Sequence, residues 1–183
     1  MKMYTTHERA ASPDRELFEE LLTNSALVFH ICLGYSINLS DAEELYQDVY
    51  LKAWQDIGSV RVQNSARPWL LRIARNVCLN HLRKKRQDRR LFYDNQLPMV
   101  ERDTPEMSII RGELGLVLKG AVQSLPTRFR DVFVMREYGQ LSYEEISETL
   151  GIKIGTVMSR LSRARRSVME ELKENGYGRE NGK

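Results

Sequence analysis

The stretch LSYEEISETLGIKIGTVMSRLSRARR, over residues 141–166, constrains the fold more than any other part of this sequence. Ser142 and Glu145 form a capping-box pattern, which predicts the start of a helix. Gly151 follows that helix and readily adopts the left-handed conformation of a helix C-terminus. A second helix is expected to begin near Ile154. A short helix, a turn containing glycine and a second helix together predict a helix-turn-helix.

The second helix of this motif has an apolar face and a basic face when its residues are placed at intervals of about 100°. The apolar positions are Val157, Leu161, Ala164 and Val168. The opposite face and its flanks carry Met158, Ser159, Arg160, Ser162, Arg163, Arg165 and Arg166. Arginine can hold guanine through two hydrogen bonds and can also hold phosphates, so this face suits the major groove of DNA. A helical hairpin with a charged outer face is the alternative.

The first turn of this helix departs from the usual capping pattern. Lys153 stands where Ser, Thr or Asp would cap the helix better, and a cation at this end opposes the helix dipole. The same lysine could instead contact a phosphate.

A second basic segment lies upstream, in PWLLRIARNVCLNHLRKKR over residues 68–86. Its predicted buried stripe is Leu71, Ala74, Cys78 and Leu82. The opposite face carries Trp69, Ile73, Asn76, Asn80, Arg83 and Lys84. An aromatic ring, amides and cations on one face suit stacking and hydrogen bonding to bases. For Trp69 and Ile73, packing against a neighbouring helix is the alternative, and for Trp69 the two interpretations are equally supported.

The charge distribution separates these two segments from the rest of the chain, whose formal net charge is only +3. Residues 61–90 hold ten Lys and Arg and one Asp, and residues 150–173 hold six basic and two acidic residues. The segments between and before them are acidic. Two separate basic patches favour two contacts with a polyanion over ordinary solvated helix surface.

A third segment, DAEELYQDVYLKAWQDI over residues 41–57, follows the helical apolar pattern with one exception. Ser40 and Glu43 form a capping-box pattern at its start. The predicted buried positions are Ala42, Leu45, Tyr46, Val49, Tyr50, Ala53, Trp54 and Ile57. Leu51 instead falls on the polar face, among acids and amides, where it could anchor a protein partner.

The remaining patterns predict an all-α protein built from two small helical domains joined by a flexible linker. Residues 1–86 are expected to form four helices, the first beginning at Pro13 and the last at Pro68. Residues 87–108 have no sustained period and are predicted to be the linker. Residues 109–173 are predicted to form the helix-turn-helix domain, and residues 174–183 a frayed tail.

Several classes of protein are disfavoured by what the sequence lacks. No run approaches the roughly 18 apolar residues of a membrane helix, and the N-terminus has no secretory apolar region. Cys32 and Cys78 lack metal-ligand spacing, and the three histidines are scattered. We therefore expect a cytoplasmic protein with no catalytic residues, no metal and no cofactor, and we disfavour a nucleic-acid enzyme such as a recombinase.

Three segments together resemble a known family, the extracytoplasmic function (ECF) group of bacterial RNA polymerase sigma factors. DAEELYQDVYLKAW is similar to that group's polymerase-binding helix, and ARPWLLRIARNVCLNHLRKKR resembles its promoter −10 block. The segment from LPTRFRDVF to MSRLSRAR resembles its −35-binding domain. The resemblance implies core RNA polymerase (β′ and β subunits) and promoter DNA as partners, with an anti-sigma factor as a potential third. A helix-turn-helix regulator that acts without core polymerase is the alternative.

The resemblance also assigns roles to residues by position. It implies that the β′ coiled coil is bound by Glu44, Gln47, Asp48 and Leu51. It implies that unstacked bases of the −10 element are bound by Ser59, Val60, Arg61, Val62, Gln63, Asn64, Ser65, Asn76, Asn80, Arg83 and Lys84. It implies that the −35 element is bound by Lys153, Thr156, Met158, Ser159, Arg160, Ser162, Arg163, Arg165 and Arg166.

Overall fold

The computed structural model describes residues 13–59, 66–91 and 112–177, and all the regular secondary structure in these ranges is helical. The N-terminal set consists of α1 (Pro13–Leu22), α2 (Ser25–Tyr35), α3 (Leu39–Asp56), a 3₁₀ turn (Ile57–Ser59) and α4 (Ala66–Leu91). The C-terminal set consists of α5 (Glu113–Ser124), α6 (Thr127–Phe133), a π-helical segment (Val134–Tyr138), α7 (Tyr143–Leu150) and α8 (Ile154–Glu174). The predicted all-α fold is confirmed.

The start of α3 differs from the prediction. The capping box at Ser40 and Glu43 is wrong, because the N-cap is Asn38, whose side-chain oxygen accepts a hydrogen bond of 2.7 Å from the backbone N–H of Asp41. Asparagine is as good a cap as serine, so the helix begins at the first of the two capping residues that the chain offers.

Helix α4 is longer than expected at both ends. It begins at Ala66, and Pro68 lies within its first turn, where a backbone N–H has no partner inside the helix. It runs to Leu91, whereas the predicted N-terminal domain ended at residue 86. No glycine or proline interrupts residues 87–91, so nothing stops the helix there. The rest of the predicted linker lies outside the described residues, as do residues 178–183 of the predicted tail.

The helix-turn-helix follows its prediction closely. Ser142 Oγ accepts from the N–H of Glu145 at 3.1 Å, and Glu145 Oε2 accepts from the N–H of Ser142 at 2.7 Å. Gly151 ends α7 in the left-handed conformation, with φ 64° and ψ 38°. The N–H of Ile152 then donates to the carbonyl oxygen of Ser147 at 3.1 Å, which closes the turn. The capping box and the glycine turn are therefore confirmed.

The predicted apolar stripes of α4 and α8 are buried. The stripe of α3 is buried too, except at two positions: Tyr46 is partly covered, and Trp54 is 49% exposed. The prediction of a buried Trp54 is wrong: the ring packs against Phe18 of α1, with 5.0 Å between ring centroids, but about half of the residue stays exposed.

Helix α2 is largely apolar, and its Val28, Ile31, Cys32 and Tyr35 lie in the core. It packs against α3 and α4 in its own set and against the π-helical segment in the other. Among the described residues, no single helix has the length and apolar character to cross a membrane. Residues Asp14–Leu22 and Ser25–Tyr35 meet that test only when taken as a pair, across a bend of 63°.

The two helical sets share one continuous hydrophobic core, which the sequence did not predict. Helix α2 approaches the π-helical segment so closely that a Cβ atom at Gly34 would lie 2.6 Å from Val134 Cγ1. Helix α4 packs against α7 in the same interface. The two sets are therefore in close contact in the isolated chain.

Candidate polymerase and nucleic-acid interfaces

The first candidate surface lies on the outer side of α3. Glu44, Gln47, Asp48 and Leu51 are all exposed, and the side chain of Leu51 is 58% accessible. Because Leu45 and Val49 on the opposite side are fully buried, substitutions on the outer side leave the core intact. The predicted exposure of Leu51 is confirmed. Trp54 lies one turn further on and widens the apolar part of this surface, which the helical pattern alone missed.

The second candidate surface lies on α4. Asn76, Asn80, Arg83 and Lys84 are exposed on it. Arg83 Nη1 donates to Asn80 Oδ1 at 3.2 Å, so this cation orients a neighbouring amide. Trp69 and Ile73 are partly buried and pack against the core, which favours the packing alternative for both. Of the predicted loop, Ser59 is exposed at the end of the 3₁₀ turn, and residues 60–65 lie outside the described part of the chain.

These two surfaces meet in one open cleft of about 400 Å³. From α3 the cleft is lined by Glu44, Asp48, Leu51, Lys52 and Gln55, and from α4 by Val77, Asn80, His81 and Lys84. Within the described ranges, the buried Nε2 atom of His81 has no hydrogen-bond partner. Sequence patterns on single helices predicted two surfaces, but the packing of α3 on α4 makes them neighbours.

The third candidate surface is the outer face of α8. Met158, Ser159, Ser162, Arg163 and Arg166 are exposed there, and Arg160 and Thr156 are partly exposed. Ser159 Oγ donates to the Thr156 carbonyl oxygen at 3.1 Å, so that hydroxyl has a partner within the helix. Lys153 is the N-cap residue and makes no capping hydrogen bond through its side chain, as its chemistry requires.

Arg165 of α8 has a carboxylate partner. Its Nε and Nη2 atoms donate to Glu137 Oε1 at 2.8 and 2.6 Å. These hydrogen bonds raise the pKa of the Arg165 guanidinium above its usual value. The pair is exposed, so a phosphate could compete for the arginine at modest cost. No local pattern predicts this partner, since Glu137 lies 28 residues away.

No group of three or more His, Cys, Asp or Glu side chains in the described ranges could hold a metal ion. Cys32 and Cys78 face each other in the core with their sulfur atoms 4.0 Å apart. A hydrogen bond with Cys32, together with burial, raises the pKa of the Cys78 thiol. The exposed basic faces of α4 and α8, and the helix-turn-helix that carries the second, define a class of DNA-binding protein.

Comparison with known proteins narrows this class. Residues 21–88 match Sigma-70 region 2, and residues 116–168 match Sigma-70 region 4. RNA polymerase sigma factor YlaC of Bacillus subtilis is 34% identical over 140 residues, which cover 75% of this chain and 79% of that protein. ECF RNA polymerase sigma factor SigW of the same organism is 28% identical, over 80% of this chain and 83% of its own length.

A solved structure resembles the whole arrangement. It is the sigma factor RpoE of Bartonella quintana in complex with the anti-sigma factor NepR, with 28% identity and a TM-score of 0.63. The match covers 86% of this chain and 97% of that one. The chain belongs to the ECF group of RNA polymerase sigma factors.

Proposed function

We propose that this protein binds core RNA polymerase, directs it to specific promoters and assists promoter melting. The observation that carries the proposal is the pairing, in a chain of the ECF group, of two exposed basic helix faces with an acidic, leucine-centred surface on α3. Such a protein redirects an enzyme and needs no catalytic residue of its own. We place its action in the cytoplasm, with the polymerase.

The surface of Glu44, Gln47, Asp48 and Leu51 is the proposed contact with the β′ subunit. The exposed Leu51 can supply an apolar anchor for a partner protein. The acidic side chains around it favour a partner with a basic surface. The α4 surface is the proposed −10 contact. Melting a duplex costs stacking energy, and holding unstacked bases against Asn76 and Asn80 would offset part of that cost.

The outer face of α8 is the proposed −35 contact. Within the described part of the chain, Arg163 forms no ion pair and can reach a base edge, whereas Arg165 lies beside Glu137 at the flank. We propose a major-groove role for Met158, Ser159, Ser162 and Arg163, with phosphate contacts from Lys153, Arg160, Arg165 and Arg166. Because RpoE of Bartonella quintana was solved with an anti-sigma factor, we also propose that a partner of that kind binds this chain.

The direct test is to add the purified protein to core RNA polymerase and to map transcription starts on genomic DNA. We expect new start sites that share two sequence elements at −10 and −35. A helix-turn-helix regulator acting without polymerase would instead bind a duplex operator alone and create no new starts. That result would refute the proposal.

Arg163 and Arg165 are expected to behave differently when replaced by alanine. Arg163→Ala should weaken binding by about 1–3 kcal/mol in a way that depends on the base at one position of the −35 element. Arg165→Ala should weaken binding to all sequences and reduce the slope of log affinity against log salt by about 0.9. Fluorescence anisotropy of holoenzyme on a set of −35 variants measures both.

Lys173→Ala provides the matched control, because Lys173 is an exposed cation in the last turn of α8. It should change neither sequence preference nor the salt slope. If Arg163→Ala and Arg165→Ala lose the same DNA-binding affinity on every sequence, Arg163 contacts a phosphate and not a base.

A further inference from the structure

Asp131 of α6 lies in the interface between the two helical sets and is only 3% exposed. Its Oδ1 atom accepts from the Tyr35 hydroxyl of α2 at 2.6 Å. Its Oδ2 atom accepts from Arg75 of α4, from Nε at 2.7 Å and from Nη2 at 2.5 Å. One carboxylate from the C-terminal set thus binds two helices of the N-terminal set.

The two ends of this ion pair differ in exposure. The Asp131 side chain is 4% accessible, whereas that of Arg75 is 28% accessible. Burial, together with the neighbouring Asp131 charge, raises the pKa of Tyr35, so its hydroxyl stays a donor to the carboxylate. Asp131 is therefore held in place, while the arginine at the edge of the interface can exchange its partner.

Arg75 is also connected to the proposed −10 surface. Its Nη1 atom donates to Asn76 Oδ1 at 3.3 Å, so the guanidinium lies beside an amide of that surface. Arginine presents the same fork of parallel N–H donors to a carboxylate and to a phosphate. In the isolated chain, Asp131 occupies this fork.

A second ion pair across the interface also joins a cation of the N-terminal set to an anion of the C-terminal set. The Nη1 atom of Arg67 in α4 lies 2.8 Å from the Oε1 atom of Glu145 in α7. Among the described residues, both ion pairs between the sets take the cation from the basic helix α4 and the anion from the C-terminal set. The C-terminal set thus places carboxylates where a polyanion would place phosphates.

We propose that Arg75 is a nucleic-acid contact of the −10 surface that Asp131 masks in the isolated chain. The Arg75–Asp131 ion pair then acts as an intramolecular latch, which a DNA strand opens by competing for the arginine. The inference rests on the proposed function, since it needs α4 to bind DNA.

The test uses the full-length chain without polymerase and a mixed-sequence single-stranded DNA of about 20 nucleotides, long enough to span one binding face. Asp131→Asn removes the competing charge and keeps the side-chain shape. We expect its affinity at low salt to rise roughly three- to tenfold, with the salt slope steeper by about 0.7 for one more phosphate contact. Adding Arg75→Ala to Asp131→Asn should abolish both gains.

Two controls separate the latch from simpler effects. Glu19→Gln removes one negative charge on the exposed face of α1, so it adjusts net charge as Asp131→Asn does and should leave affinity unchanged. Arg75→Ala alone should increase the radius of gyration in small-angle X-ray scattering, as Asp131→Asn should, because either change breaks the ion pair. Of these two variants, Asp131→Asn alone should gain DNA affinity, because it keeps the arginine.

Gly34→Val provides a second route if Asp131→Asn fails to fold. Its side chain would collide with Val134 and Tyr138 and would separate the two sets without removing either charge. We expect the same gain in DNA affinity, and its loss when Arg75→Ala is added. The proposal is overturned if the folded variants that separate the sets gain no affinity, or if the gain persists without Arg75.

These outcomes are distinct from failure of the proposed function. A wild-type chain that creates no new transcription starts refutes the sigma-factor role, whatever its affinity for single-stranded DNA. A chain that directs polymerase normally but shows no dependence on Arg75 refutes the latch alone.

Discussion

Asp48→Arg is expected to weaken binding to core RNA polymerase by roughly 100-fold, because a reversed charge at the centre of a contact is opposed by the partner's own charge. Asp48 is exposed on α3, one turn from Leu51 and away from the buried Val49. The change should therefore leave the helix content and the thermal midpoint as they are in the wild type. Biolayer interferometry with immobilised core enzyme measures the loss.

Leu51→Ala should weaken the same interaction through a different cause, the loss of an apolar anchor. Glu174→Arg, the same charge reversal at the exposed end of α8, should bind core as the wild type does. If Asp48→Arg binds core normally, or if it unfolds, the α3 surface is not the polymerase contact.

Arg130→Met is expected to lower the free energy of unfolding by about 3–5 kcal/mol. The Arg130 side chain is 1% exposed and donates to the carbonyl oxygens of Val122 at 3.0 Å and Leu125 at 2.8 Å, and also to that of Gln123. These carbonyls lie at the C-terminal end of α5 and in the turn that leads into α6. Methionine fills the space but removes the guanidinium donors from all three carbonyls, of which that of Val122 keeps a hydrogen bond from the N–H of Leu125 at 3.3 Å.

Urea denaturation followed by circular dichroism measures this loss directly. Arg128→Met is the matched control, because Arg128 is exposed and its guanidinium lies 4.9 Å from the ring centroid of Phe129. Its effect should stay within about 0.5 kcal/mol. A loss below about 1 kcal/mol for Arg130→Met would mean that water replaces the guanidinium at these carbonyls.

The sequence predicted those parts of the fold that depend on local chemistry. The capping box at Ser142 and the left-handed Gly151 act within one turn of the chain, and both are confirmed. The start of α3 was missed because Asn38 and Ser40 can both cap a helix, and the pattern does not say which will. The prediction that Trp54 is buried was wrong, because the helical pattern of α3 does not show how much of that helix α1 covers.

The candidate surfaces were partly predictable for the same reason. Which side of α3, α4 or α8 faces the core follows from apolar spacing, so the exposed residues opposite could be named. The contacts between the two helical sets could not be predicted in this way. Arg75 and Asp131 are 56 residues apart, and Tyr35 and Asp131 are 96 apart, so no local pattern connects them. The resemblance that named the DNA-binding residues implied nothing about this interface.

The shared cleft between α3 and α4 has a consequence for how such a protein can diversify. Leu51 and Asp48 line the same cleft as Asn80 and Lys84, so a substitution that alters the proposed base contacts also changes the surface proposed to bind the polymerase. We expect the two activities to vary together in descendants of this chain. The outer face of α8 contributes nothing to that cleft. New promoter preferences should therefore arise first through α8, where a mutation can change the DNA target without weakening the binding of RNA polymerase.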